Sequence, residues 1–381
     1  MRSQRHRLGR WMLTVSVVWV LLGAFMAPCQ LSCAAATEGL VTTDYYVSHT
    51  SIEPFYKQVK LDSHVVLHVR EVVLAGRERT VPQDGKVLLL VHGAGDPGYI
   101  AFDLDHENCS MMRYFARAGW DTFALDLEGY GLSTRPVLMD APSAFPASKG
   151  PIHSEVAISD LGRVIDFIYN LRGVNKVYLL GWSLGASRTT PLYTIQHPEK
   201  VAKLVLFAPG YRNLGFVEAY RAYADTLDTQ TKVLVLTPSV ETLYQFGSKD
   251  ELLVPGAFEA WRAADLASDP KSGEWGGVVR HPGGPVVDML RANPQFDASK
   301  IKVPTLVIRG ALDTFGTSQD CQLLTDELGS EVKQFVEIPA ASHFVSFEKA
   351  NLQFFKAVKD FLEAKVEKKS QSWGSKGARH K

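Results

Sequence analysis

The chain predicts an α/β protein built on one largely parallel sheet, with a single long insert. Three observations carry that expectation. Short apolar runs alternate with amphipathic helical stretches from Val87 onward, several of the runs end in glycine-bearing loops, and the alternation lapses between about Tyr211 and Lys302 before it resumes. At 381 residues, 46% hydrophobic and 22% charged, the chain buries one large core, or a core and a smaller lobe. Lysine plus arginine equals aspartate plus glutamate at 41 each, so no global field attracts nucleic acid. Small molecules are the expected partners.

The first ten residues hold Arg2, Arg5, Arg7 and Arg10 without an acid, and the next stretch, Trp11 to Ala27, is uncharged and mostly apolar. Basic, then apolar, then small residues is the order of a secretory signal, with Ala34-Ala35-Ala36 at the cleavage site and a mature start near Thr37. An uncleaved membrane anchor within residues 1–36 is the rival reading. Both put the folded part outside the cytoplasm, secreted or periplasmic in one case and membrane-anchored in the other. Cleavage leaves Cys109 and Cys321, which that compartment permits to pair, although two free thiols is the favoured expectation.

Alternating apolar and polar residues predict antiparallel strands at Phe55–Lys60 and Val65–Leu74. Val87–Val91 is wholly apolar, as in a strand covered on both faces. The glycine-bearing loop from His92 to Gly98 follows, then a helix at about Asn108–Ala118 stopped by Gly119, a strand at Thr122–Leu125, and a Pro/Ala/Ser-rich excursion reaching Pro151. Leu161, Val164, Ile165 and Ile168 stripe the next helix, and Lys176–Leu180 is the strand after it. Pro191 predicts that the following helix is short or kinked. Ala202–Phe207 is the next strand.

Residues 211–300 read as an inserted cap between two parts of a core, residues 37–210 and 301–366. Its Tyr220, Tyr223, Leu243, Tyr244, Phe246, Phe258 and Trp261 divide between cap core and pocket lining in a way the sequence leaves open. Strands at Thr305–Ile308 and Gln334–Ile338 and helices at Ser318–Leu328 and Phe347–Val366 complete the core, and residues 367–381 form a basic tail expected to be disordered.

Gly181-Trp182-Ser183-Leu184-Gly185 stands between a strand and a helix, where glycines permit the sharp turn that lifts a serine clear of the sheet edge. A serine hydroxyl needs an adjacent base, and the base needs a carboxylate. Asp313 and His343 each stand a few residues past a predicted strand, at the sheet edge that the serine shares. Ser183 as nucleophile, His343 as base and Asp313 as its orienting carboxylate is therefore the expected set, with Asp320 or Asp288 as substitutes for Asp313. His197, His281 and His106 read as loop or surface residues. The N–H groups of Leu184 and Ala94 are the expected oxyanion donors, Gly95 being an alternative to Ala94, and His92 is expected to buttress its loop. No Cys/His spacing resembles a zinc site, and no glycine-rich nucleotide loop is present.

Val91-His92-Gly93, the stretch from Leu125 to Ser133, the Gly181–Gly185 elbow, Gly310-Ala311-Leu312-Asp313 and Ser342-His343-Phe344 together resemble the α/β-hydrolase superfamily. The resemblance spans roughly Phe55 to Val366. It implies an eight-stranded, mostly parallel sheet with helices on both faces, a helical cap, and cofactor-free hydrolysis through an acyl-enzyme. Ser183 sets the chain apart from relatives with an aspartate nucleophile, and Ser187 stands near where many relatives have a second glycine. A moderately apolar carboxylic ester is the expected substrate. Amide or peptide cleavage, carbon–carbon bond hydrolysis, acyl transfer and a binding protein without turnover remain the alternatives.

Overall fold

The computed structural model describes residues 39–79, 85–212 and 223–365. The expected leader, the basic tail and Tyr220 lie outside the described residues. No helix among those described is long and apolar enough to cross a membrane.

The strands are β1 (Leu40–Thr50), β2 (His64–Leu74), β3 (Val87–Val91), β4 (Asp121–Leu125), β5 (Val177–Trp182), β6 (Val201–Phe207), β7 (Val233–Leu236), β8 (Val279–Pro282), β9 (Thr305–Gly310) and β10 (Lys333–Ile338). Eight of them form one sheet in the order β1-β2-β4-β3-β5-β6-β9-β10. From β4 to β10 every neighbouring pair is parallel, whereas β2 runs antiparallel to both β1 and β4.

The apolar run of β3 explains the layering. Val87, Leu89 and Val91 point to one face, packing with Leu161, Val164, Ile165 and Ile168 of the helix Ser154–Arg172. Leu88 and Leu90 point to the other, with Met111 and Phe115 of the helix Met111–Arg117 and with Phe354 and Val358 of the helix Asn351–Glu363. Successive strand residues serve opposite layers, so every position of β3 is apolar.

Phe55–Lys60 is not a strand. Pro54–Gln58 is a short helix: Pro54 suits its first turn, the Glu53 carboxylate accepts from the Phe55 N–H at 3.0 Å, and consecutive Phe55 and Tyr56 are both buried. The antiparallel partner of β2 is instead β1, an edge strand whose side chains are mostly half-exposed and carry no clean alternation. Part of the expected loop after β3 is helical from Gly98 to Asp103. His281 is neither loop nor surface: it lies in β8 and is 1% exposed.

Between β6 and β9 the chain leaves the sheet. The helices Val240–Gln245, Ala257–Ser268 and Gly284–Arg291 are found there, but so is an antiparallel ribbon of β7 and β8, so this insert is mixed rather than helical alone. Cys109 and Cys321 are both fully buried and both free.

Candidate active site

Ser183 follows β5 with φ +54°, a left-handed conformation that crowds any residue bearing a Cβ. Its flanking glycines explain why the turn is nevertheless adopted. A Cβ on Gly181 would stand 2.5 Å from the Thr190 hydroxyl, and one on Gly185 would stand 2.5 Å from the His92 carbonyl oxygen. Bare backbone there lets β5, the following helix and the loop after β3 close on one another, leaving the strain on Ser183.

Ser187 makes two hydrogen bonds at the elbow. Its hydroxyl donates to the Ser183 carbonyl at 2.8 Å and accepts from the Gly210 N–H at 2.9 Å, tying the elbow to the loop after β6. Pro191 has the predicted effect in a specific form. A π-helical turn, Gly185–Thr189, precedes a seven-residue α-helix, Thr190–Gln196, so Pro191 falls in a first turn where its missing N–H costs little.

His343 stands in the loop after β10 and Asp313 just past β9. The imidazole Nδ1 is 2.8 Å from Asp313 Oδ2, and both side chains are essentially buried. Donation of Nδ1–H to the carboxylate leaves the lone pair on Nε2. Asp313 Oδ1 accepts the Phe315 N–H at 2.8 Å, and the Arg309 guanidinium, which also pairs with Glu337, donates to the Asp313 carbonyl at 2.5 Å. The substitutes weighed for Asp313 are engaged elsewhere: Asp320 accepts from the N–H groups of Tyr211 and Arg212, and Asp288 from His153 and the Ser154 N–H.

Several residues hold this loop in ways that carry no local sequence signal. Glu348, fully buried, accepts from Ser342 N–H at 2.8 Å, Ser342 hydroxyl at 2.6 Å and Ser248 hydroxyl at 2.7 Å, joining the histidine loop to the insert. The Trp182 indole N–H donates to the His343 carbonyl at 3.1 Å. Phe246 stacks on the imidazole at 5.0 Å between centroids. The motif around Ser342-His343 was visible, but a glutamate five residues later had no local signal.

His92 buttresses its loop as expected. Its Nδ1 lies 2.7 Å from the Gly93 carbonyl, and its Nε2 accepts the Leu127 N–H at 3.1 Å, bridging the loops after β3 and β4. Burial lowers its pKa, consistent with a neutral ring accepting at Nε2. The backbone beyond it runs close to the elbow: a Cβ on Gly93 would lie 2.9 Å from Ser183 Cβ. Leu184 occupies the N-terminal end of the helix after the elbow, where backbone N–H groups lack intrahelical partners.

Ser183, His343, Trp182 and Ala94 line one cavity of about 680 Å³. Among the aromatics singled out in the insert, Tyr223, Phe246 and Trp261 line it too. Leu243 is buried, Phe258 packs beside Trp261, and Tyr244 faces outward with its hydroxyl on Asp250 at 2.6 Å. Among the described residues no cluster of His, Cys, Asp or Glu is arranged to hold a metal ion.

A sequence model of the alpha/beta hydrolase fold matches residues 86–350. No curated protein sequence matches the chain. Among solved structures it is similar to a thermophilic esterase from Thermogutta terrifontis, at 18% identity and a TM-score of 0.56 over 84% of this chain and 98% of that one. It is also similar to a monoacylglycerol lipase from Paleococcus ferrophilus, at 22% identity and a TM-score of 0.53 over 78% of this chain and 98% of that one. A third is the 2-hydroxy-6-oxo-6-phenylhexa-2,4-dienoate hydrolase of Rhodococcus sp. strain RHA1, at 15% identity and a TM-score of 0.54 over 85% and 100%.

Proposed function

The chain belongs to the α/β-hydrolase fold family, and from that premise we propose that it is a serine hydrolase cleaving a moderately apolar carboxylic ester. The observation that carries this reading is the buried His343–Asp313 hydrogen bond at the same cavity as a strained Ser183. Ser183 Oγ attacks the ester carbonyl while His343 Nε2 takes its proton, and Asp313 stabilises the imidazolium. The oxyanion accepts from the N–H groups of Leu184 and Ala94, each worth about 3 kcal/mol in the transition state. Collapse expels the alcohol, protonated by His343, and a water activated by the same base releases the acid.

Residues 211–300 act in this reading as a cap that shapes the acyl or alcohol pocket through Tyr223, Phe246 and Trp261. The esterase and lipase among the similar structures favour an ester, and the dienoate hydrolase keeps carbon–carbon cleavage as the neighbouring alternative. Two measurements test the proposal. A fluorophosphonate is expected to label Ser183, and Ser183→Ala is expected to lose at least about a thousandfold of kcat on short p-nitrophenyl esters. Full activity in that variant would refute the mechanism, whereas absence of an adduct would point to a binding protein.

A further inference from the structure

Two buried carboxylates line the cavity, and the proposed ester cleavage assigns them no step. Asp96, two residues beyond Ala94, and Asp265, on the helix Ala257–Ser268, both line the cavity, as does Trp261. Trp261 and Asp265 are four residues apart and so share a helix face. The indole N–H of Trp261 donates to Asp96 Oδ1 at 2.6 Å, which brings Asp96 to that same face. Asp96 is 3% exposed and Asp265 2%.

Asp265 Oδ1 is buried with no hydrogen-bond partner, an unusual state for an acceptor in a native core. Among the described residues, the other ionisable groups of the lining are Tyr223, Glu241, which is exposed, and His343, and no lysine or arginine lines the cavity. The cation acting on Asp265 from outside the lining is Arg135, whose Nη1 and Nη2 donate to the carbonyls of Arg280 and Ser268 and whose Nε is buried without a hydrogen-bond partner. Asp269, the other acid acting on Asp265, is paired with Arg280.

We propose that Asp96 and Asp265 form a subsite for a cationic nitrogen, so that the substrate carries an ammonium group held by these two carboxylates while its carbonyl reaches Ser183. The inference rests on the cavity being the substrate site. An ammonium brings three donors, enough for the open Oδ1 and for the oxygens of Asp96, and its charge offsets both carboxylates at once. A hydroxyl fills one acceptor and supplies no positive charge. Burial raises both carboxyl pKa values, Asp96 to about 6 and Asp265 well above the ordinary range, with Asp96 adding to the rise at Asp265. A bound cation lowers both, so binding releases protons.

Binding of n-hexylammonium, 1-hexanol and hexanoate to the wild-type protein, read by titration calorimetry, tests this without turnover. Hexylammonium is expected to bind at least about tenfold tighter than hexanol, with hexanoate weakest, and to release protons when buffers of different ionisation enthalpy are compared. Asp265→Asn, with its fold checked by circular dichroism, is expected to erase that preference, and Asp96→Asn to reduce it. Equal affinities for hexylammonium and hexanol, no hexylammonium binding, or a preference surviving in both variants would overturn the proposal. Cation binding without a fluorophosphonate adduct on Ser183 would leave the subsite standing and refute the hydrolase; an adduct without cation preference would do the reverse.

Discussion

The indole of Trp182 holds the main chain of His343: its N–H donates to the His343 carbonyl at 3.1 Å while its ring stacks on Phe207 at an interplanar angle of 12°. Trp182 therefore fixes the loop that carries His343, and β5 and the loop after β10 are joined by one side chain.

Trp182→Phe keeps an aromatic ring and removes the donor. About tenfold of kcat is expected to be lost, with about 1 kcal/mol of stability, because one partner of the buried carbonyl is gone. Steady-state kinetics and urea unfolding measure the two effects. An unchanged kcat would mean that the bond does not position the base.

Asp313→Asn retains the shape of the side chain and makes one of its termini a donor, which no longer fixes Nδ1–H on the imidazole. By analogy with serine triads generally, kcat is expected to fall about 10³- to 10⁴-fold with little change in KM. A loss below tenfold in ester hydrolysis would assign Asp313 a purely structural role.

Gly185→Ala drives a methyl to 2.5 Å from the His92 carbonyl oxygen and 2.7 Å from that of Val91, both rigid backbone atoms. About 3 kcal/mol of stability is expected to be lost. A wild-type unfolding midpoint in urea would contradict the close approach of the elbow helix to the loop after β3.

Arg172 pairs in the core with Glu71 of β2 and with Asp121 of β4, the latter at 2.5 Å, at the end of the helix Ser154–Arg172. Burial, with Asp121 adding to it, pushes Glu71 up to about 8. Arg172→Met abandons two buried acids and is expected to cost about 3–5 kcal/mol at pH 7. The loss should shrink toward pH 4, as the carboxyls take up protons in the folded and in the unfolded state alike. Denaturant unfolding at both pH values checks this.

Asp96 supplies a pH-dependent effect of predictable sign. Its folded pKa of about 6 lies above the ordinary aspartate value, so between roughly pH 4 and 6 the folded state binds more protons than the unfolded state. Its contribution to stability therefore falls as pH rises through that window. Asp96→Asn keeps an acceptor for Trp261 and removes the titration. Its melting temperature is expected to exceed wild type by a few degrees at pH 8 and to match it near pH 3.5. Scanning fluorimetry across pH distinguishes this from a uniform shift.

The core strands were legible because burial on both faces leaves no room for polar residues: Val87–Val91 has one reading. Val65–Leu74 was legible by its alternation. Phe55–Lys60 is ambiguous, because six residues of mixed polarity fit both periods and the helix is selected by the capping from Glu53 and Pro54. β1 was missed since an edge strand needs little apolar pattern.

The sequence by itself determined the fold class and the positions from which the chemistry is proposed. A parallel sheet sends all its strand ends to one edge, so Ser183, Asp313 and His343 could be placed from order and spacing alone. Only the tertiary structure decided which carboxylate meets His343, that Glu348 and Trp182 hold its loop, which insert aromatics line the cavity, and that Asp265 and Asp96 share that cavity. Those relations join residues up to 169 positions apart, as Asp96 and Asp265 are (265 − 96 = 169). They depend on how the insert folds back over the sheet edge, and local periodicity carries no information about such an approach.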